Sequence, residues 1–207
     1  MLLPDRYIEP ARTSGLLRAI DNMLLFRCVQ LLRSTERYDY DTTVFCNVTP
    51  HTVGDRSFFE EFIIYLENWP DLAPSLVFEF AQDEVDLLRG DIATDMKRLS
   101  RAGYRFSSDQ VSSVRIDAAV LMARNVQFVT IDATVFLEQA KQDAEIVRAL
   151  KRTLDEAGIN LIVEKIETEQ MLVELADYQI DFGQGYLFCE PHISQNPPDV
   201  FQEIKAS

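Results

Sequence analysis

Six polar side chains stand where apolar runs end: Asn47, Glu79, Asp109, Asp132, Glu164 and Gln184. They recur at intervals of about 20 to 32 residues, roughly one strand-plus-helix unit each. A carboxylate at the end of a buried strand is costly unless it is paired or bound to a cation. Several such oxygens converging on one mouth are the ligand set of a hard cation such as Mg²⁺ or Ca²⁺. Taken singly, each is also what a helix N-cap after a strand looks like. Six in phase favour a shared site, without naming a substrate.

The elements that must position these groups alternate. A helix begins after Thr13 or Ser14 and carries Leu16, Ile20, Met23, Leu24, Cys28 and Leu31 at helical spacing. Strands are expected at 43–48, 75–80, 104–108, 126–131, 159–163 and 180–182. Helices are expected at 58–69, stopped by Pro70, then at 83–101, 117–124, 135–157 and 168–178, with Gly103 and Gly158 as C′ residues. A Gly-x-Gly loop and a Pro-rich tail follow. Such alternation predicts βαβ units and a parallel sheet in one domain, with barrel and open sheet both compatible.

Composition narrows the function classes. The 207 residues are 47% apolar and 26% charged, which excludes disorder and permits a sizeable core. Acidic residues number 34 and basic residues 20, a net charge of −14. That balance argues against a nucleic acid polymer or an anionic membrane surface as partner. A small phosphorylated ligand is not excluded, since a local cation or helix N-terminus can hold it. Cys28, Cys46 and Cys189 form neither a disulfide framework nor a zinc motif, so buried reduced thiols and a cytoplasmic location are expected. No apolar run is long enough to span a membrane, and Met1-Leu2-Leu3-Pro4-Asp5-Arg6 does not read as a signal peptide. His51 and His192 each stand alone and read as surface residues.

Two strings carry a resemblance. Val163-Glu164-Lys165-Ile166-Glu167-Thr168-Glu169-Gln170 and Phe182-Gly183-Gln184-Gly185-Tyr186-Leu187-Phe188-Cys189-Glu190-Pro191 resemble the A-E-G-V-E-T-x-x-Q and Q-G-Y-L-F-x-x-P signatures of EAL domains, the cyclic di-GMP phosphodiesterases. Pro4 to Leu16 resembles their P-x-x-F-I-P-x-A-E-x-x-G-L segment, Asn47-Val48-Thr49-Pro50 their N-x-S-P, Phe78-Glu79-Phe80-Ala81-Gln82 their E-x-T-E, and Thr130-Ile131-Asp132 their K-I-D. The order is collinear over nearly the whole chain. The resemblance implies a TIM-like (β/α) barrel. Its opening strand, with the E-A-L tripeptide and a nearby arginine, has no counterpart before Met1. Residues 1–207 are therefore expected to be an N-terminally incomplete EAL domain.

Departures from the pattern imply degeneracy. The D-D-F-G-T-G loop maps onto Asp109-Gln110-Val111-Ser112-Ser113-Val114, losing its second aspartate and both glycines. Thr130 stands for the lysine of K-I-D, Gln82 for the second acid of E-x-T-E, and Lys165 for the glycine of A-E-G-V-E. The family hydrolyses its substrate with two metal ions, and two-metal chemistry needs ligands on each. The expectation is thus no catalytic residue, with Glu164 a relic of the base position. Asn47, Glu79 and Asp109 are relic metal positions; no cofactor is expected to be held firmly, and Mg²⁺ is left open. Ligand-binding candidates are Tyr7, Asn47, Glu79, Asp109, Asp132, Glu164, Gln184 and Tyr186.

Three functions follow in order of preference. The first is an inactive cyclic di-GMP receptor that regulates an unidentified protein partner, with a drift towards TipF-like flagellar-assembly receptors. The second is an interaction module of the same fold that binds no nucleotide. The third is residual phosphodiesterase activity. The expected setting is cytoplasmic, as a soluble piece or as part of a larger membrane-tethered protein.

Overall fold

A computed structural model describes residues 10, 11, 13–35, 43–82, 90–111, 114 and 116–189. In chain order the elements are α1 (Leu17–Thr35), β1 (Val44–Asn47), α2 (Pro50–Gly54), α3 (Arg56–Glu67), a 3₁₀ turn (Pro70–Ser75) and β2 (Leu76–Ala81). Then come α4 (Asp91–Arg101), β3 (Arg105–Val111), α5 (Ala118–Ala123), β4 (Val126–Asp132), α6 (Ala133–Gln142) and α7 (Ala144–Glu156). The chain continues with β5 (Asn160–Glu164), α8 (Glu169–Leu175), a 3₁₀ turn (Ala176–Tyr178) and β6 (Phe182–Gly183). Strand order follows chain order, β1-β2-β3-β4-β5-β6. β1 and β2 pair in parallel, as do β4 with β5 and β5 with β6. Sequential order is single winding, as in a barrel; a doubly wound sheet reverses direction about its first strand. That decides between the two architectures left open by the pattern.

The chain divides into two compact units, Met1–Arg33 with Tyr40–Ser107, and Ser34–Asp39 with Ser108–Ser207. In the first, α3 buries Phe59, Phe62, Ile63 and Leu66, the i, i+3, i+4, i+7 stripe of an amphipathic helix. Asp55 caps it by accepting from the Phe58 amide. Phe26 of α1 meets Phe58 and Phe62 edge-on, and Phe62 meets Phe78 of β2 the same way. Tyr104 is fully buried, and its hydroxyl donates to the Trp69 carbonyl at 2.7 Å and the Leu66 carbonyl at 3.2 Å. Arg98 of α4 forks onto both oxygens of Glu67 at 2.9 Å and reaches Glu60 at 2.7 Å.

In the second unit β4 and β5 read as near-continuous apolar runs, the mark of parallel strands covered on both faces. α7 buries Val147, Leu150 and Leu154. Lys151 lies on the same face with only 8% of its side chain exposed, bonded to Asp155 and, at 3.2 Å, to Asp181. Burial pulls the Lys151 ammonium down, but these carboxylates more than reverse that and hold it above the ordinary lysine value. The other oxygen of Asp181 accepts from the Leu161 amide at 2.8 Å. One carboxylate therefore ties α7, β5 and the lead-in to β6. Asp181→Ala is expected to cost about 2 kcal/mol, since it takes one of two carboxylates from a buried cation and removes the acceptor of a backbone N–H. Urea unfolding should show a lower midpoint at an unchanged slope.

Several expectations from the sequence need correction. The helix expected over 135–157 is two, because Asp143 takes extended angles (φ −157°, ψ 97°) and caps α7 by accepting from the Glu145 amide. Ser14 does not cap α1; its hydroxyl donates to the Pro10 carbonyl. β3 runs on to Val111, so Asp109 lies inside a strand and not at the head of a loop. Of the thiols only Cys46 is buried; Cys28 is half-buried and Cys189 exposed, and none of the three is in a disulfide. Cys28 and Cys46 hydrogen-bond to each other, which lowers the first and raises the second. Residues 83–89, given to a helix on periodicity, lie outside the described residues.

Candidate functional site

Two register pairs place four of the six strand-end groups. Asn47, the last residue of β1, is opposite Glu79 of β2, and the Val48 amide donates to the Glu79 carbonyl at 2.8 Å. In the second unit Asp132, the last residue of β4, is opposite Glu164, the last of β5. Asp109 is half-buried near the C-terminal end of β3, and of Gln110 only the backbone is described. Gln184 directly follows β6 and is exposed, as is Tyr186 at 62%. Tyr7 lies outside the described residues.

The loop bearing Gln184 is interleaved with the end of β5. The Gln184 amide donates to the Val163 carbonyl, the Ile166 amide to the Gln184 carbonyl, and the Leu187 amide to the Ile166 carbonyl, all within 2.9–3.0 Å. A Cβ on Gly185 would stand 2.2 Å from the Ile166 carbonyl oxygen and 2.3 Å from its nitrogen. Only glycine permits that approach, which holds the loop carrying Gln184 and Tyr186 against the backbone of Val163 and Ile166, on either side of Glu164 and Lys165.

The centre of this end is a lysine. Lys165 Nζ is 2.9 Å from Asp132 Oδ2 and 3.5 Å from Glu164 Oε1. Asp132 Oδ1 accepts from the Thr134 amide at 2.7 Å, so this residue both caps α6 and carries an ion pair. Burial alone would raise the Asp132 carboxyl; the Lys165 ammonium and the Thr134 and Val135 amides outweigh it and hold the group below its usual range. Bonding to Asp132 raises the Lys165 ammonium, with Glu164 adding to it. The stabilisation from Asp132 is therefore present above the ordinary carboxylate pKa of about 3.9 and is lost as pH falls through the depressed folded value.

Thr130, two residues before Asp132, is 1% exposed, and its hydroxyl has no hydrogen-bond partner among the described residues. The position that the resemblance gives to a cation is thus buried and neutral, while a cation sits at 165. Sequence reading noted both substitutions but not their connection. The available signal was the charge exchanged between positions 130 and 165; the parallel register that brings 165 to Asp132 was not readable.

Among the described residues no group of three or more His, Cys, Asp or Glu is placed to hold a metal ion. Asp132 and Glu164 as they stand do not fit a divalent ion, because the Lys165 ammonium already bonds both carboxylates. No helix among the described residues is long and apolar enough to cross a membrane.

Comparison with known proteins places this geometry. The chain is 25% identical over 194 residues to the cyclic di-GMP phosphodiesterase NbdA of Pseudomonas aeruginosa, covering 92% of this chain but only 25% of that protein. The chain thus spans about a quarter of that relative. Among solved structures, the FimX EAL domain of Xanthomonas citri in complex with c-diGMP superposes with a TM-score of 0.76 at 17% identity, covering 90% of this chain and 75% of that one. The MucR phosphodiesterase in its c-di-GMP complex gives 0.74 at 20% identity, covering 93% and 79%. At such identities the likeness speaks to fold, which is the parallel α/β, TIM-like fold of those domains. The family description that matches is the EAL domain, over residues 1–191. By that match the chain belongs to the EAL domain family.

Proposed function

We propose that this chain is a cyclic di-GMP receptor that binds the nucleotide without hydrolysing it and thereby regulates a protein partner. The observation that carries the reading is Lys165, whose ammonium is bonded to Asp132 and Glu164 where a hydrolase of this family would need free carboxylates. Gln184 and Tyr186, both exposed in the loop bonded to Ile166, offer an amide for guanine edges and a ring for stacking. Asn47, Glu79 and Asp109 complete the ligand-binding set of this reading, with Tyr7. The domain organisation that goes with it is one degenerate EAL domain over 1–207, acting in the cytoplasm. A flagellar role of the TipF type is its narrowest form and rests on the 78–82 and 107–110 segments alone.

Isothermal titration with cyclic di-GMP is the test, run in Mg²⁺ and again in EDTA. Binding is expected in both. Tyr186→Ala should weaken it about tenfold or more, the scale of one lost base stack. A large loss of affinity in EDTA would show a metal-dependent mode instead. No heat of binding, in this chain and in a version extended N-terminally, would leave the interaction module that takes no nucleotide.

A further inference from the structure

We propose that Lys165 is the built-in cation of the Asp132–Glu164 pair, taking the place of a divalent metal ion at this end of β4 and β5. Three observations carry it. The ammonium is within ion-pair distance of both carboxylates at once, 2.9 and 3.5 Å. The two carboxylates are register partners on adjacent parallel strands, so without a cation between them they would repel. The backbone of Lys165 sits at φ +57°, a left-handed conformation that favours glycine and is strained for a long side chain. A long side chain thus stands where the backbone favours glycine, and its ion pairs among the described residues are these two.

One of the remaining oxygens is also committed. Asp132 Oδ1 is used by the Thr134 amide, leaving Oδ2 for the cation. A divalent ion entering here would meet a positive charge already in contact with both acids. Removing that charge should therefore open a weak divalent site made of Asp132 and Glu164. The inference concerns the same strand ends as the receptor reading but stands on the ion pairs alone, so it does not need the nucleotide to bind.

The test uses Mn²⁺ alone, followed by titration calorimetry and by the loss of its free-ion paramagnetic resonance signal. Lys165→Gly relieves the left-handed strain and removes the charge; Lys165→Met removes the charge but keeps the stem. Both are expected to bind Mn²⁺ about tenfold or more tightly than the wild type. Adding Asp132→Asn and Glu164→Gln to either should abolish the gain. Thermal melts establish that each variant is folded. Equal Mn²⁺ affinity in the wild type and both variants would overturn the proposal. So would a gain in Lys165→Gly alone, which would trace to space, or a gain that survives loss of both carboxylates, which would trace to another place.

Discussion

Purified protein given cyclic di-GMP with Mg²⁺ or Mn²⁺ is expected to release no detectable linear pGpG. The expectation follows from charge. Hydrolysis of a phosphodiester builds negative charge on the transferring group, and one preorganised donor at such a point is worth about 10²–10³ in rate. Where the resemblance puts a cation this chain has Thr130, a buried neutral hydroxyl, and where it puts an acid the chain has Gln110. Lys165 is bonded to the carboxylates of Asp132 and Glu164. Gln110→Asp with Thr130→Lys should leave the chromatographic assay at background, because Lys165 still occupies the pair and the loop glycines remain absent. Robust turnover by the wild-type chain would end the receptor reading in its non-hydrolysing form.

The second large effect is structural. Gly185→Ala is expected to cost on the order of 3 kcal/mol or more, in the range of exceptional single substitutions. The new Cβ would overlap the Ile166 carbonyl oxygen, nitrogen and carbonyl carbon at 2.2, 2.3 and 2.7 Å. These are backbone atoms fixed by bonds to Gln184 and Leu187, so no rotamer change makes room. The backbone at 185 also sits at φ +155°, at the edge of the positive range that side chains avoid. Gly183→Ala is the control. Its Cβ would meet Ile166 Cδ1 at 2.9 Å, the far end of a side chain that can turn away, so a markedly smaller loss is expected. Urea unfolding of both variants decides it. Equal, small losses would mean that the loop shifts freely and that Gln184 and Tyr186 are not rigidly placed.

Much of this was legible in the residues. The runs ending at Asn47, Glu79, Asp132 and Glu164 are short, β-rich and apolar, and they became parallel strands within a residue or two of their expected ends. What failed did so for local reasons. Asp143 interrupts a continuous helical period because its carboxylate prefers to cap, and periodicity does not register a one-residue break. The polar end of β3 hid three further strand residues, Asp109 to Val111, since Asp109 and Gln110 lack the branched side chains that mark a strand. Cys189 looked buried from its neighbours Phe188 and Leu187, but Phe188 is itself 53% exposed. The role of Lys165 needed a distance between residues 33 positions apart, and no local pattern supplies one.

That lysine changes what the strand ends respond to. A dissociable metal ion fills its site according to its free concentration, so a protein that depends on one reads two inputs, ion and ligand. An ammonium tethered through its own backbone has an effective concentration set by geometry. Dilution does not remove it, chelation does not reach it, and fluctuations in divalent ion leave its occupancy unchanged. One of the two negative charges of the Asp132–Glu164 pair is accordingly balanced at the moment the chain folds, by a counter-ion delivered in fixed stoichiometry with every molecule synthesised.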